Sequence, residues 1–257
     1  MRPSAAAVRS TLLGPLPLIA LFIGAWWLAV VSTRSLIVPT PWQVGAGLVE
    51  LAREGLLIKH VTSSLYRVLV GYLIAAALAI PLGICMGWFK GIFTAVNPLI
   101  QILRPISPIA WIPLAIIWFG VGDFSPMFLI FLSAFFPMVV NATTGAHTID
   151  QQYIRAARNF GVSGLTLFRL VVFPAAVPHI IVGMRVSLGV AWLVLVAAEM
   201  IALNSGLGFL IMDSRNAGNR YDLVVAGMVL IGVFGLLLDG LIRRLEGLKE
   251  VRWRYGR

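Results

Sequence analysis

The sequence predicts an all-α integral membrane fold with six transmembrane helices. Three observations lead there. The chain is 60% hydrophobic and only 12% charged, where soluble domains carry about 25% charged residues. Several apolar runs reach the roughly 18 residues that a helix needs to cross a bilayer. Prolines, glycines and charges fall between these runs and cut them to span length. No water-compatible stretch is long enough to fold separately, so residues 1–257 read as one transmembrane domain.

The first span is expected at about 12–33. Arg2 and Arg9 precede an apolar run from Thr11 to Val31. That run is longer than the roughly 7–15 residues of a signal-peptide core, and no small-x-small cleavage site follows, so it reads as a retained span. Pro39-Thr40-Pro41 then breaks the chain. Over 42–58, Trp42, Leu48, Leu51, Leu56 and Leu57 alternate with Glu50, Arg53 and Glu54, the pattern of an amphipathic helix lying in the interface.

Span 2 covers about 64–86, and the tight turn Trp88-Phe89-Lys90-Gly91 leads into span 3, about 92–120. Pro105, Pro108 and Pro113 interrupt span 3 by removing backbone donors. Broken helices at membrane depth are tolerated where they are buried in protein or line a wet cavity. Gly120 to Asp123 forms a turn, and Ser125-Pro126 opens span 4, about 126–146. A polar loop follows at about 147–178, then span 5 at 179–203, a polar connection at 204–222 and span 6 at 223–242. Gly83, Gly87 and Gly91 form one row of small residues, and Gly183, Ser187 and Ala191 another. Such rows let helices approach closely. Trp26, Trp27, Trp42, Trp88 and Trp253 read as interface anchors and packing.

Charge sets the orientation. Arg2, Arg9, Lys90, Arg155, Arg158, Arg169, Arg243, Arg244, Lys249, Arg252, Arg254 and Arg257 fall on one side, twelve in all; Arg34, Arg53, Lys59, Arg215 and Arg220 fall on the other. The positive-inside rule places both termini and the 147–178 loop in the cytoplasm. The net charge of +10 therefore reads as topology, and nucleic acid is not an expected partner. Cys85 is the single cysteine, in an apolar run, which excludes an intrachain disulfide or CxxC site. His60, His147 and His179 lack metal-ligand spacing. The chain has no GxxxxGK[ST] phosphate loop, no HExxH and no GxSxG. It is not expected to be an enzyme or to hold a cofactor, and any enzyme that supplies energy is expected in another chain.

The loop is the longest basic internal segment of an apolar protein. Asp150 suits the N-cap of a helix from Gln151 to about Phe160, and Gly161 suits its left-handed end. Ser163 can cap a second short helix through Phe173, with Pro174 and Pro178 marking its end. Ala156 and Ala157 have little side chain, so another surface can approach the backbone, while Arg155 and Arg158 offer charge at the rim. An ordinary solvated loop whose arginines set topology fits the same residues.

The spacing Ala156-Ala157-x3-Gly161-x9-Val171-x-Phe173-Pro174 resembles the EAA loop of ABC importer permeases. Arg155 stands where the motif has Glu. Pro39-Thr40-Pro41, Leu103-Arg104-Pro105-Ile106, Trp118-Phe119-Gly120, Gly183-Met184-Arg185 and Ala198-Glu199-Met200-Ile201 are similar to the nitrate/sulfonate/taurine/bicarbonate branch. The resemblance implies a type I ABC importer permease-like fold and a homodimer of permeases in a bacterial inner membrane. It implies two cytoplasmic ABC ATPase subunits, which bind ATP and Mg²⁺, and a periplasmic or lipid-anchored substrate-binding protein. It further implies that Arg155, Ala156, Ala157, Arg158, Gly161, Phe173 and Pro174 belong to the ATPase-coupling loop, and that a small anion moves by alternating access.

Arg104 and Ser107 adjoin the proline break. They either line the translocation path, attracting an anion, or leave Arg104 snorkelling to the interface. Glu199, near the outer end of span 5, gates the path or pairs with a base such as Arg67 or Arg215. Asp239 pairs locally or sits at the interface, and Arg185 is open in the same way. A stand-alone secondary transporter or channel is the rival reading. It needs a coupling-ion site, and the sparse acids Glu199 and Asp239 lie near opposite faces of the membrane.

Overall fold

The computed structural model describes residues 16–33, 37–216 and 218–246. Arg2, Arg9, Arg34, Lys249, Arg252, Trp253, Arg254 and Arg257, which enter the readings of topology and anchoring above, lie outside the described residues. The described residues are helical, without strands. Four helices are long and apolar enough to cross a membrane, and a bent pair makes a fifth candidate. Helix α1, Leu16–Thr33, is apolar but shorter than the spans.

Contacts divide the chain into two compact units, one of residues 1–58 and 210–229, the other of residues 59–209 and 230–257. In the first, Pro41 opens helix α2, Pro41–Arg53, at a position where a missing N–H costs nothing. Thr40 and Gln43 close a capping box: the Gln43 amide donates to Thr40 Oγ1 at 3.4 Å, and the Thr40 amide donates to Gln43 Oε1 at 2.8 Å. The amphipathic helix expected over 42–58 stops at Arg53, because Glu54 and Gly55 break it. Leu56 to Ile58 instead start helix α3, Leu56–Trp88. Arg220 reaches Glu50 at 2.7 Å and Asp222 at 2.8 Å. The Arg220 hydrogen bond holds the Glu50 carboxyl below its ordinary value.

In the second unit, α3 packs on helix α6, Phe124–His147. A β-carbon on Gly83 would sit 2.6 Å from the Val139 carbonyl, and one on Gly87 2.5 Å from that of Thr143. These glycines therefore let the two backbones meet. Gly91 of the predicted row meets nothing within 4 Å, whereas Gly71, outside that row, fits against Met127. Helix α4, Lys90–Leu103, and helix α5, Ile112–Phe119, with a 3₁₀ turn at Pro108–Trp111, form the pair bent by 83°. The break falls at Arg104 to Ser107, between prolines that cannot donate.

After α6 come helix α7, Gln151–Asn159, and helix α8, Gly164–Leu167, then a π segment at Phe168–Val172 and helix α9, Phe173–Ala202. The second loop helix does not end at Pro174. Pro174 is the second residue of α9, directly after the π segment, where the hydrogen-bond register already changes, and helical structure runs from Gly164 to Ile201 through Pro178. The expected polar connection at 204–222 contains helix α10, Leu207–Asn216, ahead of helix α11, Tyr221–Glu246.

Candidate functional site

Helix α7 is built by its ends. Asp150 Oδ1 accepts from the Gln152 amide at 2.9 Å, as an N-cap does. Ile149, before the cap, and Ile154, at the fourth helical position, have the spacing of a hydrophobic staple. Both belong to one buried cluster with Ile84, Ala146, Leu167 and Val172. At the other end the Gly161 amide donates to Arg158 O at 2.9 Å and the Val162 amide to Ala157 O at 3.0 Å. That is a Schellman closure, and Gly161 supplies its left-handed residue at φ +79. Ser163 occupies the N-cap of α8 but makes no side-chain cap bond.

These anchors split the predicted coupling residues into two sets. Ala157 is half-buried and packs on the cluster, with Val162, Phe168 and Val171. Arg155, Ala156, Arg158 and Phe173 are exposed, and Pro174 is half-buried. Neither Arg155 nor Arg158 has a carboxylate partner among the described residues. Phe160, which the sequence reading did not single out, is 87% exposed, the most of any large apolar side chain described. Tyr153 and Leu165 are exposed as well. The segment thus has an apolar underside wedged into the helices and an outer face that carries Arg155, Ala156 and aromatic rings, while Arg158, one turn after Ile154, lines a cavity beside that underside.

The three residues expected near a path have different surroundings. Arg104 caps the end of α4 and is exposed; Ser107 is exposed at the bend, just before Pro108. Glu199 is fully enclosed. It accepts from Ser64 Oγ at 2.8 Å, from Arg67 Nη1 at 2.8 Å and from the Gly208 amide at 3.0 Å. Of its two expected partners, the structure pairs it with Arg67. No hydrogen bond or ion pair joins Arg104 or Ser107 to Glu199 among the described residues.

Arg67, 3% exposed, also donates through Nε to Asp123 at 2.8 Å, and through Nη1 and Nη2 to Ser205 O and Oγ at 2.7 and 2.6 Å. Ser64 Oγ accepts from the Leu207 amide at 2.9 Å, and His60 Nδ1 from the Gly206 amide at 3.1 Å. Gly206, at φ +112, lies so close to the Glu199 carboxylate that a β-carbon would collide with it. The result is a clasp in which α3, α9, the Asp123 turn and the 203–208 turn share one buried ion pair. Such a pair holds only when its remaining lone pairs and protons find partners; here both Glu199 oxygens accept, and all three Arg67 nitrogens donate. Farther along, Asp239 pairs locally with Arg243, one turn on at 2.8 Å, and also with Arg185 of α9 at 2.7 Å. Among the described residues no group of three His, Cys, Asp or Glu could hold a metal ion.

The family model described as "Binding-protein-dependent transport system inner membrane component" matches residues 79–249. A putative ABC transporter permease protein of Methanocaldococcus jannaschii is 44% identical over 78% of this chain and 74% of its own length. The taurine transport system permease protein of Escherichia coli is 36% identical over 89% of this chain and 85% of its own. The nitrate import permease protein of Synechocystis is 40% identical over 74% and 68%. Among solved structures, one described as inward facing conformations of the MetNI methionine ABC transporter aligns with a TM-score of 0.65 at 17% identity. It covers 74% of this chain and 94% of that one.

Proposed function

The chain belongs to the binding-protein-dependent transport system inner membrane components, and on that premise we propose that residues 150–174 couple it to a separate ATPase while a small anion crosses. As a member of this family it is a multi-pass inner-membrane permease subunit of an ABC importer and not an enzyme; ATP hydrolysis and solute capture belong to partner proteins. The fold is that of a type I ABC permease.

The observation that carries the coupling role is the two-sided build of α7. Its underside is fixed to α3, α6 and α9 through Ile154, Leu167 and Val172. A push on the outer face, at Ala156 and Phe160, is therefore transmitted to membrane helices and not absorbed by a loose loop. Arg155, in place of an acidic residue, meets an acidic patch on the ATPase. Phe173 and Pro174 form the joint where the loop enters α9.

The complex contains two copies of this chain, each a single permease domain over 1–257, two cytoplasmic ATPase subunits that hold ATP and Mg²⁺, and a periplasmic or lipid-anchored binding protein. Both termini face the cytoplasm. Arg104 and Ser107 border the path at the proline break. Glu199 shapes that path through the clasp and does not touch solute. The cargo is a small anion of the nitrate, bicarbonate, taurine or alkanesulfonate class; the names of the relatives support taurine, aliphatic sulfonates and nitrate, and Arg104, with no ion-pair partner among the described residues, supports an anion. Charge-reversing Arg155 and Arg158 together is expected to leave membrane insertion intact and abolish transport-coupled ATPase activity. Normal coupling in that variant would refute the assignment.

A further inference from the structure

We propose that the cavity where α3, α4, α6 and α7 meet binds the headgroup of an anionic phospholipid. The cavity measures about 650 Å³. Lys90 and Arg158 line it, and neither has an ion-pair partner among the described residues. Apart from the polar Gln151, its other walls are apolar or aromatic: Met86 and Trp88 at the end of α3, Phe93 on α4, and His147, whose ring stacks on Phe93 with centroids 6.4 Å apart. Two unneutralised cations beside apolar walls match a ligand that is anionic at one end and hydrocarbon at the other.

The level in the membrane fits as well. Helix α3 ends at Trp88 and α4 begins at Lys90, so the cavity mouth lies at a turn between two membrane helices. Tryptophan and lysine at such a turn belong to the interface. A second cavity of about 180 Å³ shares Met86 and Phe93 with the first and continues between α4 and α6 past Asn97, Thr143 and Thr144. Thr143 lies one helical turn, about 6 Å of rise, before His147. Its Oγ1 is a buried hydroxyl with no hydrogen-bond partner among the described residues. A phospholipid presents the matching order: a phosphate for Lys90 and Arg158, then ester carbonyls that can accept from Thr143, then acyl chains. On the proposed topology this is the cytoplasmic leaflet, whose anionic lipids attract basic pockets between membrane helices.

The test uses the full chain purified in detergent, with bound lipid counted by native mass spectrometry. Phosphatidylglycerol is expected to bind in preference to phosphatidylcholine. Lys90→Gln and Arg158→Gln are each expected to weaken phosphatidylglycerol binding about fivefold, the effect of roughly one basic residue near an anionic surface. Lys90→Arg should retain binding. Arg169→Gln removes the same charge from an exposed position outside the cavity and should change nothing. Equal retention of both lipids, or an equal loss in Arg169→Gln, would overturn the site. Full displacement by inorganic phosphate would overturn the lipid assignment in favour of a free oxyanion. A cysteine at position 169, probed with an impermeant reagent, tests the topology separately. Labelling from outside with lipid binding intact would sink the orientation and spare the pocket.

Discussion

Arg67 and Arg155 show what burial does to an arginine. Arg67 is 3% exposed and every neighbour answers it: Asp123, Glu199 and both oxygens of Ser205. Arg155 is exposed and unanswered among the described residues. A guanidinium inside a helix bundle must be fully bonded, because desolvation outweighs the attraction of an imperfect pair. One on a surface can wait for a partner at little cost. The first arginine therefore organises the fold, and the second is available to another chain.

The largest expected effect comes from halving the clasp. Glu199→Ala leaves the Ser64 hydroxyl and the Gly208 amide without their acceptor and Arg67 with Asp123 alone as carboxylate partner, and should destabilise the chain by about 3–5 kcal/mol, read from the unfolding of the purified protein in detergent. Arg67→Met with Glu199→Leu removes both charges at once. It should cost much less than either single change, because apolar residues can replace a buried pair. A double variant as unstable as Glu199→Ala would mean that the amide and hydroxyl bonds, and not the charges, carry the clasp.

On the exposed side the effect should appear in assembly and not in folding. Phe160→Ala is expected to weaken ATPase binding by about 2 kcal/mol, as loss of an aromatic anchor does, with the unfolding midpoint unchanged. A midpoint that falls with binding would place Phe160 in the core of the permease. Gly161→Ala sits between the two regions. Its left-handed backbone costs a β-carbon about 1–2 kcal/mol, so it should fray the end of α7 and lower both readouts modestly, measured by hydrogen exchange over 157–162.

Much of this contrast was legible in the sequence, for local reasons. Asp150 and Gly161 are cap residues whose preferences are set within a few positions, and both occupy the predicted ends of α7. Proline removal of donors likewise broke span 3 where Pro105 and Pro108 stand. Pro174 and Pro178 do not end the helix, because a π segment just before Pro174 shifts the hydrogen-bond register and the chain stays helical across both. Within the expected polar connection, Leu207–Asn216 forms a short helix with Leu207, Leu210 and Ile211 buried, too brief an apolar stretch to stand out between polar neighbours. The partner of Glu199 was one of two possibilities, since Arg67 is 132 positions away and only the fold selects it over Arg215. Phe160 gave no signal at all: an aromatic residue in an apolar chain announces burial, and its exposure depends on which way α7 is pinned.

Arg220 tests the intermediate case, and its effect should be the smallest. Its side chain is 42% exposed and shared between Glu50 and Asp222. It is more solvated than Arg67 and better partnered than Arg155. The Arg220 hydrogen bond lowers the Glu50 carboxyl from its ordinary 4.5. A depressed carboxyl contributes stability that is fully present above the unfolded value and lost as pH falls through the folded one. The contact should therefore be intact at neutral pH and weaken only as the pH falls below 4.5. Glu50→Gln should remove that acid-side slope while barely changing stability at neutral pH, because exposed pairs contribute little. If Glu50→Gln instead destabilises the chain at neutral pH as strongly as Glu199→Ala, partial exposure is not what separates the two arginines, and the number of partners decides.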